Sequence, residues 1–273
     1  MPDMKKKFPA PPRHLAQPPL DTPILEWWAR EYDYVYVVLN PFFRVPGYRP
    51  ETAAYGPIHS DALKVPDIVS HITSPRQLRP NEAPEHFADI IKAAGQPLSW
   101  SAVSQAIGAD YGPDFQRNVR LWTLEVDRED RDDAIASKLS QYCRETGTYP
   151  PEEDQLPAIL EPMLGRFLEA LGIETVTLWS EWREASIEVA VSSFAREMPV
   201  CSIPNDRCCA VAAPGLLLSW EFDDVAGLLA MRDARLANAN PADFFETMPV
   251  TPEMYADVFN PPDSNIRRVT EKQ

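Results

Sequence analysis

The segment Trp220-Glu221-Phe222-Asp223-Asp224 puts three carboxylates into four consecutive positions at the end of an apolar run. Carboxylates grouped at a strand end perform acid–base or metal chemistry when their surroundings drive their pKa values apart. The commoner use of such a run is a turn. Histidine, whose ordinary pKa lies nearest neutrality, stands only at positions 14, 59, 71 and 86. His59 and His71 fall in a proline-rich stretch, and such loops often carry reacting groups. With Glu221, Asp223 and Asp224 they form the candidate catalytic set. Cys143 and His71 would make a nucleophile–base pair only if the fold joins them. His14 lies in the N-terminal leader, and His86 in an early helical turn suits a surface or structural role.

A second group of residues points to binding. Glu125, Asp127, Glu129, Asp130, Asp132 and Asp133 crowd a helix junction, and Glu152, Glu153 and Asp154 precede another helix. Acidic residues at helix starts offset the macrodipole, which accounts for most of them. The functional alternative is a cation site or a surface for a basic protein. Trp27, Trp28, Trp179 and Trp182 could serve as interface anchors or as core. The candidate partner surface is therefore Glu129, Asp130, Asp132, Asp133 and Trp182. Cys201, Cys208 and Cys209 lack the C-x2-C spacing of a zinc turn, and no paired histidines complete a ligand set. No G-x-G-x-x-G, Walker, H-E-x-x-H or G-x-S-x-G motif occurs, and 10 glycines against 29 prolines leave little material for a phosphate loop. The expectation is no cofactor and no metal.

These residues need elements to hold them. Pro23–Arg30 has a capping Thr22 and a first-position proline, as a short helix does. Tyr32–Leu39 alternates aromatic and β-branched residues like a strand, ended by Asn40-Pro41. Residues 44–80 hold six prolines and must be mostly loop. Helices are predicted at 82–94, 100–107, 113–126, 129–144 and 155–171, each with Ser, Pro or Gly where helix ends want them. Beyond Gly172 the period falls to two. Strands are predicted at 174–179 and around 187–191, with a hairpin 208–213/216–222 across Pro214-Gly215 and a further strand at 225–231. Residues 241–247 and 252–259 read as short terminal helices. The helix at 100–107 followed by one bearing Arg117 and Arg120 has helix-turn-helix spacing, but the acidic run that follows favours plain helix packing. Helices followed by mainly antiparallel strands make an α+β fold, a helical N-terminal and middle segment packed on a mainly antiparallel sheet.

The ends differ from the body. Residues 1–22 carry six prolines and three consecutive lysines and read as an extended or disordered leader outside any core. Residues 23–260 form a single domain, and 261–273 a flexible tail. No secretory signal or membrane-length apolar run is visible, so the expected location is the cytoplasm with reduced thiols. A net charge of −15 repels phosphate backbones and anionic lipid, which argues against nucleic-acid and membrane partners.

Leu39-Asn40-Pro41-Phe42 with Pro46, then Pro97-Leu98-Ser99-Trp100 with Val103 and Gly108, then Tyr149-Pro150 with Glu153-Asp154, are similar in order and spacing to an uncharacterised bacterial family, domain of unknown function twenty-seven eleven. The resemblance spans roughly residues 32–240. The chain departs from it in its proline-rich leader and loop, and in Asn40 where a histidine is expected. The family carries no established activity, so the resemblance implies a bacterial cytosolic protein and offers no catalytic residues to carry over. The expected function is that of an acidic, immunity- or antagonist-like module binding a basic protein. The alternative is a hydrolase-like enzyme whose site joins the proline-rich loop to the strand-end carboxylates.

Overall fold

The computed structural model describes residues 10–55, 81–196, 198–200, 202–203, 206–221 and 224–260. Its main sheet comprises β1 (Tyr34–Leu39), β4 (Thr175–Trp179), β5 (Ser186–Ala190), β8 (Ala210–Ala213), β9 (Leu216–Trp220), β10 (Ala226–Met231) and β11 (Thr247–Pro249). These seven strands lie in the order β11-β1-β10-β9-β8-β4-β5, and every neighbouring pair is antiparallel. Two small ribbons accompany it: β2 (Phe42–Arg44) with β3 (Gln96–Leu98), and β6 (Ser202–Ile203) with β7 (Asp206–Arg207). The fold is α+β, as its sequence pattern requires.

Alternation along each strand divides the apolar residues between two cores. Val38, Leu216, Leu218, Leu229 and Met231 point to one side, Val37, Leu39, Leu217, Leu228 and Ala230 to the other. The first side is covered by α2 (Phe87–Ala94) through Phe87 and Ile91, and by α6 (Glu161–Ala170) through Leu164, Phe167 and Leu168. The second is covered by α1 (Ile24–Trp27), α3 (Trp100–Ala106), α4 (Pro113–Thr123) and α5 (Asp133–Thr146). Helices thus flank the sheet on both faces. That is why β9 and β10, buried throughout, are almost wholly apolar, with Ser219 the one polar side chain.

Two glycines permit close approach, one between α6 and the 3-10 turn at Val191–Ala195 and one between neighbouring strands of the sheet. A Cβ on Gly165 of α6 would meet the Phe194 Cβ at 2.7 Å, and one on Gly227 of β10 would meet the Trp220 ring at 2.8 Å. Helix ends carry their expected caps. Ser99 accepts from the Ala102 N–H, and Asp132 accepts from the Ala134 and Ile135 N–H groups. Gly147 closes α5 in the left-handed region and Gly215 turns β8 into β9.

Several boundaries move. The terminal stretch 241–247 is a 3-10 turn, Pro241–Asp243, leading into β11, and 252–259 holds turns rather than a helix. At the end of the first stretch the chain joins the sheet instead, Thr247–Pro249 pairing along β1. The helix expected from Glu82 begins at Phe87, because residues 81–83 bond to Ala54 instead. Of the leader, residues 10–22 are not free: Leu15 is buried and the segment lies against the body. The tail 261–273 lies outside the described residues.

One ion pair sits fully inside. Lys92 Nζ of α2 and Glu161 Oε2 of α6 are 2.7 Å apart, each side chain 1% exposed. The lysine also donates to the Met198 carbonyl, and the Val200 N–H donates to Glu161. Removing one partner strands a buried charge, a loss of about 3–5 kcal/mol. We therefore expect Lys92→Met to lower stability in urea unfolding by that order. Adding Glu161→Gln should restore part of the loss.

Candidate functional site

Chain segments distant in sequence meet at Asn40, which follows β1 and has no exposed surface. Its N–H donates to the Val225 carbonyl at 3.0 Å, and its own carbonyl accepts the Trp100 indole N–H at 2.7 Å. Its side-chain Nδ2 donates to the Glu152 carbonyl at 2.7 Å, and Oδ1 accepts the Trp220 indole N–H at 2.9 Å. The 150–156 loop is tied in further by the Asp154 N–H to the Asp224 carbonyl and by the Cys209 thiol to the Asp154 carbonyl. An Asn40→Ala chain would leave the Trp220 indole and the Glu152 carbonyl unpaired in a dry interior. We expect it to lose about 2–4 kcal/mol in chemical unfolding.

Beside this junction Glu221 and Asp224 come together, as members of one expected set should. They do so around a residue that set lacked. Arg120 of α4 places its Nε 3.6 Å from the Asp224 Oδ1 and its Nη1 4.0 Å from the Asp257 Oδ1. Three carboxyl groups thus share one guanidinium. Burial pushes Asp224 up to about 7, and Arg120 and the Val225 N–H offset it only in part. Glu221 is raised by burial and then by Asp257, again against Arg120. Glu152, buried nearby and hydrogen-bonded by Tyr55 and the Ala158 N–H, is likewise pushed up to about 7 by burial.

A small cavity of about 10 Å³, of the order that holds one water, lies against Glu221, Asp224, Ser219 and Gln17. The Ser219 hydroxyl and both amide atoms of Gln17 have no partner among the described residues. Gln17 and Glu221 also line a larger groove of about 330 Å³, whose other walls include Leu15, Trp220, Trp182 and Arg183. The groove is bounded by the β4–β5 hairpin. Ser180 and Ala185 close that hairpin: the Ser180 N–H donates to the Ala185 carbonyl, and the Ser180 hydroxyl accepts from the Ala185 N–H. Arg183 occupies the left-handed region at φ 60° and turns its side chain inward, where it donates to the Leu15, Ser180 and Glu181 carbonyls. Trp182 projects outward, 71% exposed.

The remaining expected site residues fall as follows. His59, His71 and Asp223 lie outside the described residues. Asp130 is held bidentately by Arg128, Asp133 pairs with Arg131, Asp132 is a helix cap, and Glu129 is exposed. Trp182 shares its groove with Glu221 and not with these acids. Cys143 is a buried thiol pushed up to about 12 by burial, no nucleophile at neutral pH. Arg117 and Arg120, the basic pair of the helix-turn-helix-like spacing, are engaged with Asp114, Asp130, Asp224 and Asp257. Asp257, Gln17 and Arg183 carried no local signal, and that of Arg120 pointed elsewhere, since each reaches the site only through tertiary packing. No group of three or more His, Cys, Asp or Glu side chains is placed to hold a metal among the described residues, and none of their helices is long and apolar enough to cross a membrane.

Fold and site define an α+β protein with a helix-covered antiparallel sheet and charge-coupled carboxyl groups buried at one end of it. The chain belongs to the family described as Protein of unknown function (DUF2711), whose model matches residues 20–257. No curated protein and no solved structure matches it.

The raised carboxyls make stability depend on pH with a definite sign. Between about pH 4 and pH 7 the folded chain retains the Asp224 proton while the unfolded chain releases it. The stabilisation is complete below pH 4 and is lost as the pH rises through 7. Asp224→Asn should flatten the fall in melting temperature across that window, leaving the share due to Glu152 and Glu221.

Proposed function

We propose that this chain is an acidic bacterial, cytoplasmic binding protein of the immunity or antagonist kind. It takes a basic segment of a protein partner at the groove beneath Trp182. One observation carries the reading. The β4–β5 hairpin carries Glu181 and Glu184 next to the exposed Trp182 at its tip and Glu188 further along β5, while its one basic residue, Arg183, is buried on the inner side. Those three glutamates make no ion pair among the described residues, unlike Asp130 and Asp133, which arginines already match. An exposed tryptophan flanked by glutamates, of which Glu181 alone interacts with the buried Arg183, is suited to a Lys or Arg side chain, through ring–cation attraction and steering. Glu221 inside the groove extends the same charge inward.

The test is fluorescence titration with labelled oligolysine, together with capture from a bacterial lysate. We expect the wild-type chain to bind oligolysine in a salt-dependent manner and to retain a basic protein at moderate salt. Trp182→Ala should weaken binding about tenfold or more, as loss of a central aromatic anchor does. Glu221→Gln should weaken it less. Equal affinity of wild type and Trp182→Ala would overturn the assignment.

A second reading, a hydrolase-like enzyme, is favoured by Asp224, whose pKa near 7 suits a general acid or base beside the unpartnered Ser219 hydroxyl. It predicts turnover in a panel of ester, amide and phosphoester substrates that Asp224→Asn abolishes.

A further inference from the structure

Four consecutive carbonyls of the N-terminal segment each accept a hydrogen bond from a side chain of the body. The Arg13 carbonyl takes the Trp28 indole N–H at 3.2 Å, and His14 the Tyr32 hydroxyl at 2.8 Å. Leu15 takes the Arg183 Nε–H at 3.1 Å, and Ala16 the Trp27 indole N–H at 3.4 Å. The segment itself is one helical turn, in which the Leu15 and Ala16 N–H groups bond to the Pro12 carbonyl. A single turn leaves its last carbonyls without internal partners, and so short a helix does not persist alone in water. The body supplies the missing donors. It therefore reads the backbone of the turn, not its sequence.

Two side chains add specificity. Leu15 is buried, and it lines both the groove beneath Trp182 and a second groove of about 370 Å³ between the segment and the sheet. The Arg13 guanidinium lies 4.4 Å above the centre of the Trp27 ring. Pro11 and Pro12 before the turn, and Pro18 and Pro19 after it, restrict the flanks to extended conformations and lower the entropy lost on docking. With this segment lifted away, the two grooves would join where Leu15 now divides them.

We propose that this cleft is a peptide-docking site occupied in cis by residues 12–16. The partner inserts a segment of the same chemistry, a proline-initiated turn with a basic residue two positions before an anchoring leucine, and displaces the strap. This deepens the binding reading above and rests on it. The strap is both a record of what the cleft accepts and a competitor that any partner must overcome.

The experiment uses the full chain and a fluorescein-labelled synthetic peptide of residues 10–20, read by anisotropy. Leu15→Asp, with its melting curve checked, should bind the peptide at least tenfold more tightly than wild type, because the competitor in cis has lost its anchor. The same peptide carrying aspartate at the leucine position should not bind. Adding Tyr32→Phe to the Leu15→Asp chain should weaken peptide binding severalfold. Absence of binding to a folded Leu15→Asp chain, or equal binding to it and to wild type, would overturn the proposal. Hydrogen exchange on wild type provides a readout independent of any variant. The Leu15 and Ala16 amides should exchange at least a hundredfold faster than those of β10, and equal protection would make the segment a permanent part of the core. Failure of the basic-partner reading appears instead as loss of oligolysine binding by wild type, so the two failures are told apart.

Discussion

Asn40 is the constraint on which the arrangement depends. One residue has two backbone and two side-chain groups to satisfy, and at the end of β1 all four find partners, drawn from three distant parts of the chain. The Trp220 indole positions the end of β9, the Trp100 indole positions the start of α3, and the Glu152 carbonyl positions the loop before α6. An asparagine side chain can donate and accept at once on a short stem, which no apolar residue of its volume can do. Because the interior there is dry, each bond is strong and each loss severe. The turn bearing Asp224 is fixed to the same point through Val225, so the carboxyl cluster inherits its geometry from a neutral amide.

This also explains what the short motifs shared along the chain are for. Leu39-Asn40-Pro41-Phe42, Pro97-Leu98-Ser99-Trp100 and Tyr149-Pro150 are far apart in sequence, yet β2 pairs with β3 at Phe42 and Leu98, and Phe43 exchanges backbone bonds with Tyr149. They are the pieces of one buried junction. A stack of Phe43 on Tyr149, ring centres 5.0 Å apart, completes it. Their order and spacing serve the fold, since each supplies one side of the same buried contact.

Much of the architecture was legible in the sequence. Caps such as Ser99, glycines such as Gly147 and the Pro214-Gly215 turn act over three or four residues, so their signals are local and their elements appear where they indicate. The short ribbon of β2 and β3 was not legible, since Pro97 in its centre argues against any strand and only pairing with Phe43 makes one. β11 was missed, the stretch up to Thr247 being read as helix, because three residues ending in a proline have no alternation to show. Of the site, the grouping of Glu221 and Asp224 was visible. Arg120 and Asp257 were not, because a guanidinium on α4 reaches a strand end through packing that no window of sequence contains. The leader misled for a related reason. Its composition is that of a free chain, and the donors that hold it, Trp27, Trp28, Tyr32 and Arg183, belong to other segments.

The position of β1 has a consequence for how the chain comes into being. It is among the first strands made, yet its two neighbours in the sheet are β10 and β11, near the other end of the described chain. Pairings so distant in sequence make folding slow, since the loop must close before any contact rewards it. During synthesis Tyr34–Leu39, alternating aromatic and β-branched residues, must wait without its sheet partners until residues 226–249 have emerged. The central sheet is thus completed late, and the nascent chain carries an unpaired, aggregation-prone strand through most of its translation.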